Sequence, residues 1–118
     1  MHKIALIDDK SYWIDQIKWS IPENINYEFI YFDSYKKALN TEFDIILLDY
    51  FLDLDHITWD KIISKLKYKK LIGFSSSLNW SKKIFDAGWD YFCQKTRYWR
   101  NHDLENIFWM IFYSDFTF

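Results

Sequence analysis

The chain alternates two kinds of hydrophobic pattern. Five short apolar runs, Lys3–Ile7 (KIALI), Tyr27–Phe32 (YEFIYF), Phe43–Leu48 (FDIILL), Lys70–Phe74 (KLIGF) and Tyr91–Gln94 (YFCQ), are nearly continuous rather than alternating. Such runs predict strands covered on both faces. Helical spacing falls between and after them. Ser11 can cap a helix that turns Ile14, Ile17 and Trp13 inward, with Pro22 beyond its end. Ser34 can start a short helix through Ala38 and Leu39. Thr58 precedes the stripe Trp59, Ile62, Ile63 and Leu66, spaced i, i+3, i+4, i+7. Trp80, Ile84 and Phe85 form another stripe, closed by Gly88 as a C′ residue. A last helix from about Asn101 carries Leu104, Ile107, Phe108 and Ile111.

The order is (βα)5. Right-handed crossovers then predict an α/β, doubly wound, three-layer sandwich: a parallel five-stranded sheet with helices on both faces. The 118 residues suit one domain spanning 1–118, with no effector domain expected. Half of the residues are apolar, which argues against disorder. A net charge of −2 gives no long-range pull toward nucleic acid or anionic membrane, and the lysines at 67, 69, 70, 82 and 83 are expected on solvated faces. No apolar run approaches the ~20 residues of a membrane span. The first residues, MHKIALIDD, reach charge too soon for a secretory leader, so a cytoplasmic protein is expected. The single cysteine, Cys93, allows neither an intramolecular disulfide nor a cysteine zinc site, and the three histidines lack ligand spacing.

In a sheet of strand order 2-1-3-4-5, the carboxyl ends of the first and third strands flank the binding crevice. Asp8 and Asp9 follow the first strand and Asp49 the third; Ser75 follows the fourth and Lys95 the fifth. Three converging carboxylates repel unless a cation joins them, and Mg²⁺ suits an open, carboxylate-and-water site. Nucleophilic carboxylate, metal site, hydroxyl and cation are the parts that phosphoryl transfer uses.

Four ordered segments, IALIDD, DIILLD, LIGFS and AGWDYFCQK, resemble the signature segments of the response-regulator receiver domain, of the single-domain, chemotaxis type. The resemblance implies the flavodoxin-like receiver fold and a two-component or phosphorelay role. Asp49 would take a phosphoryl group from a phosphohistidine on a sensor histidine kinase or a histidine phosphotransfer protein. Asp9 and Asp49 would bind Mg²⁺ directly, Asp8 through water, and the Phe51 carbonyl would add a ligand. Ser75 would be the hydroxyl that turns inward, Lys95 the cation on the phosphoryl oxygens, and Phe92 the aromatic switch. Such a domain phosphorylates and dephosphorylates itself and is not an enzyme in the ordinary sense. Two departures bear on switching: Asp53 stands where the family has proline, and Thr96 follows Lys95 where the family has a cis-proline. A cis bond before a non-proline residue costs ~2.5–4 kcal/mol, so a trans bond is expected.

Two alternatives compete. The DxD of Asp53 and Asp55 resembles the start of a haloacid-dehalogenase-type phosphatase. His56 and Ile57 follow where Gly-Thr is usual, and no acidic pair follows Lys95. The other alternative is a receiver-like interaction or dimerisation module not controlled by phosphorylation. With seven Trp, nine Tyr and eleven Phe, more ring surface exists than one small core needs. A homodimer or output-protein contact is expected on a face carrying Trp80, Trp89, Tyr98 and Trp99, with Arg97 and Arg100 nearby. Tyr12 and Trp13 are expected beside the acidic pair.

Overall fold

The computed structural model describes residues 1–49, 59–76 and 88–114. Within it the apolar runs form five parallel strands: β1 (His2–Ile7), β2 (Tyr27–Phe32), β3 (Glu42–Leu48), β4 (Lys67–Ser75) and β5 (Tyr91–Gln94). Their order is β2-β1-β3-β4-β5. Register pairs Ile7 with Phe32 and with Leu48, and Leu48 with Gly73, so the carboxyl ends of the central strands lie level.

Period-two alternation divides the buried side chains into two cores. Ile4, Leu6, Ile45, Leu47, Ile72 and Phe74 point to one face, where Ile17, Leu104, Phe108 and Ile111 cover them. Ala5, Ile7, Ile46, Leu48 and Leu71 point to the other and meet Ile62, Ile63, Leu66 and Trp89. Each fully buried aliphatic contributes ~1.5–3 kcal/mol, and both faces must be covered for strands this apolar to remain in solution.

A single 3-10 turn at Ser11–Trp13 leads into α1 (Ile14–Ser20), which buries Gln16, Ile17 and Ser20. Helix α2 (Trp59–Lys65) places Ile62 and Ile63 inward. Helix α3 (His102–Tyr113) starts at Asn101, whose Oδ1 accepts from the Leu104 N–H at 3.1 Å. Asp103 and Glu105 in its first turn complement the helix dipole.

Two expectations change here. The helix predicted after Ser34 is only a 3-10 turn, Tyr35–Ala38, capped by Ser34 Oγ accepting from the Lys36 N–H at 3.3 Å. Residues 33–41 are too few to repay the nucleation of a full helix between two paired strands. Strand β4 also begins earlier than its apolar run, because Lys67 and Tyr68 pair with Glu42 and Phe43. Lys69 there meets Asp44 at 3.1 Å. The predicted Trp80–Phe85 stripe, its lysines 82 and 83, and Thr58 lie outside the described residues.

Gly88, at φ 109°, takes the left-handed conformation expected of a C′ glycine and turns the chain inward. Trp89 therefore enters the second core and is 5% exposed. This removes Trp89 from the predicted interaction face. Its ring tilts against Phe92 at 5.4 Å, and both rest on Gly73, where a Cβ would meet the Phe92 ring at 2.5 Å. Phe92 itself is half-buried.

Cys93 is buried, and its thiol pKa is pushed up to about 12 by desolvation and by the Asp103 charge, against the pull of its Asn101 contact. A folded pKa above the unfolded value of ~8.5 keeps the thiol neutral, so its contribution is complete below that value and is lost as pH rises through about 12. We expect native protein to resist iodoacetamide at pH 8 and urea-unfolded protein to be alkylated at once. Equal rates would show that Cys93 is accessible.

Candidate functional site

The ladder continues one residue past the ends of β1, β3 and β5, and each residue it reaches carries a functional group. Asp8 N–H donates to the Phe32 carbonyl at 3.1 Å and Asp49 N–H to the Ile7 carbonyl at 3.0 Å. Lys95 N–H donates to the Ser75 carbonyl at 2.7 Å. The backbone thus fixes Asp8, Asp49, Ser75 and Lys95 along one edge.

Carboxylate oxygens of Asp8, Asp9 and Asp49 lie within 4.8 Å of one another. Asp8 and Asp49 are buried and Asp9 faces solvent. Lys95 Nζ reaches between the first two, 2.7 Å from Asp8 Oδ2 and 3.4 Å from Asp49 Oδ1, with its side chain 4% exposed. The ammonium also sits over two aromatic faces, 5.1 Å from the Trp13 ring centre and 5.6 Å from that of Phe74. A desolvated cation–π contact is worth up to ~2 kcal/mol. Trp13 is therefore a wall of the site, as its place after the acidic pair predicts, whereas Tyr12 is exposed.

Asp8 has a second set of contacts. Its Oδ1 accepts from the Lys10 N–H at 2.9 Å, and its backbone carbonyl accepts from the Tyr31 hydroxyl at 2.7 Å. Burial pushes its carboxyl up to about 6; the bond from Lys95, the Lys10 N–H and the Lys95 charge pull it back, while Asp49 adds to the rise.

Three carboxylates face one ammonium. When ionised they leave an excess charge of −2 at the mouth of a largely dehydrated site, the charge of one divalent cation. Hard oxygen donors from Asp8, Asp9 and Asp49 fit Mg²⁺ or Mn²⁺ and would hold such an ion.

Ser75 ends β4, buried, with its carbonyl tied to Lys95. Phe51, expected to lend a carbonyl, lies outside the described residues, as do Asp53 and Asp55 of the phosphatase alternative. No cis peptide bond occurs among the described residues, so Lys95–Thr96 is trans as expected.

Sequence reasoning passed over Gln16. Its Nε2 donates to the Thr96 carbonyl at 3.0 Å, to Thr96 Oγ1 at 2.9 Å and to the Tyr98 carbonyl at 2.5 Å. Its Oε1 accepts from Asn101 Nδ2 at 3.1 Å, and Asn101 Nδ2 also donates to the Gln94 carbonyl at 2.9 Å. Helix α1 thus grips both ends of the turn after Lys95. The available signal was spacing: residues 13, 16, 17 and 20 share one helical face, so Gln16 lies on the inward side.

No family model and no curated protein sequence matches the chain. Solved structures do. The Mn²⁺-bound form of response regulator Rcp1 is 17% identical, with a TM-score of 0.66 over 96% of this chain and 94% of that one. The response regulator domain of Thermotoga maritima CheB is 14% identical, with a TM-score of 0.63 over 94% of this chain and 90% of that one. These likenesses and the strand order together give the chain the flavodoxin-like fold of the response-regulator receiver domain.

Proposed function

We propose that the chain is a phosphoacceptor receiver domain, a single domain over residues 1–118, that takes a phosphoryl group onto Asp49 from a phosphohistidine donor and signals through protein contacts. The observation that carries this reading is the meeting of Asp8, Asp9 and Asp49 within 4.8 Å, with Lys95 Nζ at 2.7 and 3.4 Å from two of them, at the carboxyl edge of a 2-1-3-4-5 sheet.

Asp49 is the nucleophile because it ends the central strand β3 and lies across from the acidic pair. Its Oδ attacks phosphorus in line with the departing imidazole. The O–P bond forms as the P–N bond breaks, and the imidazole leaves with the bonding pair as a neutral base, its other nitrogen already protonated. Asp8 and Asp9 supply the remaining carboxylates for Mg²⁺. A bound divalent cation would offset the negative charge that otherwise repels a phosphoryl donor. Lys95, held away from water by Trp13 and Phe74, is placed to follow a phosphoryl oxygen on Asp49. Ser75, on the neighbouring strand, is the hydroxyl for another such oxygen. Phe92 is the ring that would answer a movement of Ser75. Hydrolysis of the acyl phosphate by water returns the free carboxylate.

The test is incubation with Mg²⁺ and acetyl phosphate, followed by intact mass. Wild type is expected to gain the mass of one phosphoryl group, and neither Asp49→Asn nor EDTA-treated protein is expected to gain it. An unmodified wild type, or a gain that survives Asp49→Asn, would leave the chain as a receiver-like interaction module without phosphoryl control.

A further inference from the structure

A feature that the acidic site does not account for runs along the exposed face of α1, beginning beside Trp13. Tyr12, Trp19, Tyr98, Trp99 and Trp109 are each between 59% and 78% exposed. They come from the 3-10 turn, α1, the turn after Lys95 and α3, yet form one patch. Trp19 stands at its centre: its ring meets Trp99 edge-on at 5.5 Å, and Trp109 packs on Tyr113 at 4.3 Å across an adjoining groove.

At ~150–250 Å² per ring, five rings exposed to this degree offer roughly 500–850 Å² of aromatic surface. The largest apolar patch on a typical monomer is ~300–600 Å². One side of a standard protein–protein interface is ~800 Å². The patch therefore has the size of one partner's share in a stable complex.

Its shape and charge indicate which partner. Trp19 is a knob with grooves on either side, one of about 520 Å³ bounded by Tyr12, Tyr98 and Trp99, the other of about 360 Å³ bounded by Pro22 and Trp109. Knob and hole on one patch are what a two-fold contact requires, because the same surface must serve both copies. Both signs of charge occur within it as well. Asp15, Glu23, Lys18 and Arg97 are exposed and make no ion pair among the described residues. A patch dedicated to a strongly acidic or basic partner would carry one sign. This one can pair Arg97 with Asp15 across a symmetry axis.

We infer that the Trp19–Trp99–Trp109 face binds a second copy of this chain, forming a symmetric homodimer through α1, α3 and the turn between β5 and α3. The face shares Tyr98 and Trp99 with the one expected from sequence, adds Trp19 and Trp109, and leaves out the buried Trp89; Trp80 lies outside the described residues.

Sedimentation equilibrium of the unmodified chain tests this, over about 1–100 μM and without phosphoryl donor. The expected result is a concentration-dependent shift from 14.7 kDa toward twice that mass. Trp19→Glu and, separately, Trp99→Glu should remain at the monomer mass throughout. Both positions are exposed, so native circular dichroism is expected, and either variant suffices if the other misfolds. Lys36→Glu, remote from the patch, should dimerise as wild type does. A wild type that is monomeric at the highest concentration, as it would be were the face reserved for another protein or for the chain's own last residues, overturns the inference. So does a dimer that persists in the folded Trp19→Glu and Trp99→Glu proteins.

Discussion

Lys95→Ala, measured by urea unfolding in EDTA, is expected to lose several kcal/mol at pH 8 and much less at pH 5. The ammonium lies 2.7 Å from Asp8 and 3.4 Å from Asp49, almost fully removed from water. Removing one partner of a buried ion pair costs ~3–5 kcal/mol because the other charge is left uncompensated. Asp8 offers an escape. Its carboxyl already stands at about 6 with Lys95 present, and two of the influences holding it down come from Lys95. Without them it rises further. A carboxyl whose folded pKa exceeds its unfolded value contributes stability that is complete below the unfolded pKa and is lost as pH rises through the folded one. The variant should therefore recover toward wild type as pH falls from its own, higher folded pKa to about 6, below which the two proteins gain alike. Each pH unit above the folded pKa adds ~1.4 kcal/mol to the cost of keeping the proton, so at high pH the full pair-breaking cost remains. A loss that did not change between pH 8 and pH 5 would show that the ammonium acts through packing against Trp13 and Phe74 rather than through charge.

Phe108→Ala is expected to destabilise by ~3–5 kcal/mol, a large part of the ~5–15 kcal/mol typical of a domain. Phe108 is wholly buried, lies in the core beneath Ile4, Ile45 and Phe74, and stacks on Phe112 at 6.1 Å. Its removal leaves a cavity where helix α3 meets the sheet. Asn106→Ala, two residues earlier on the exposed side, should change stability by no more than ~0.5 kcal/mol. A urea midpoint that falls for Phe108→Ala with unchanged slope, and stays put for Asn106→Ala, would confirm which side of α3 faces the sheet. Similar midpoints for the two would contradict it.

The sheet was legible in the sequence because strands covered on both faces cannot hide their apolar character. Tyr27–Phe32 and Tyr91–Gln94 were placed to the residue. The start of β4 was not, because two of its first three residues, Lys67 and Lys69, are lysines and the stretch pairs through backbone groups that side chains do not reveal. The helix after Ser34 failed for the opposite reason: good helix formers occupy a span too short to use them. Trp89 could not be located from its own identity. Its burial depends on the left-handed turn at the adjoining Gly88 and on the space above Gly73, on a different strand. The charged residues at strand ends were legible as a set, since a parallel sheet delivers all its carboxyl termini to one edge. Gln16 belongs to a class that sequence reading undervalues, the polar side chain on an apolar helical face. Its partners are backbone carbonyls some eighty residues away.

The site's charges are not held with equal firmness. Asp8, Asp9 and Asp49 follow β1 and β3, strands hydrogen-bonded on both sides in the middle of the sheet. Lys95 follows β5, a four-residue strand at the rim, with β4 as its one neighbour among the described residues. Rim strands open by sub-global fluctuation at a fraction of the free energy of complete unfolding. The countercharge can therefore leave while the acidic half stays assembled. In those excursions the edge becomes a more negative trap for cations and loses the group that would follow a phosphoryl oxygen. Gln16, by tying the turn after Lys95 to α1, adds hydrogen bonds that such an opening would have to break.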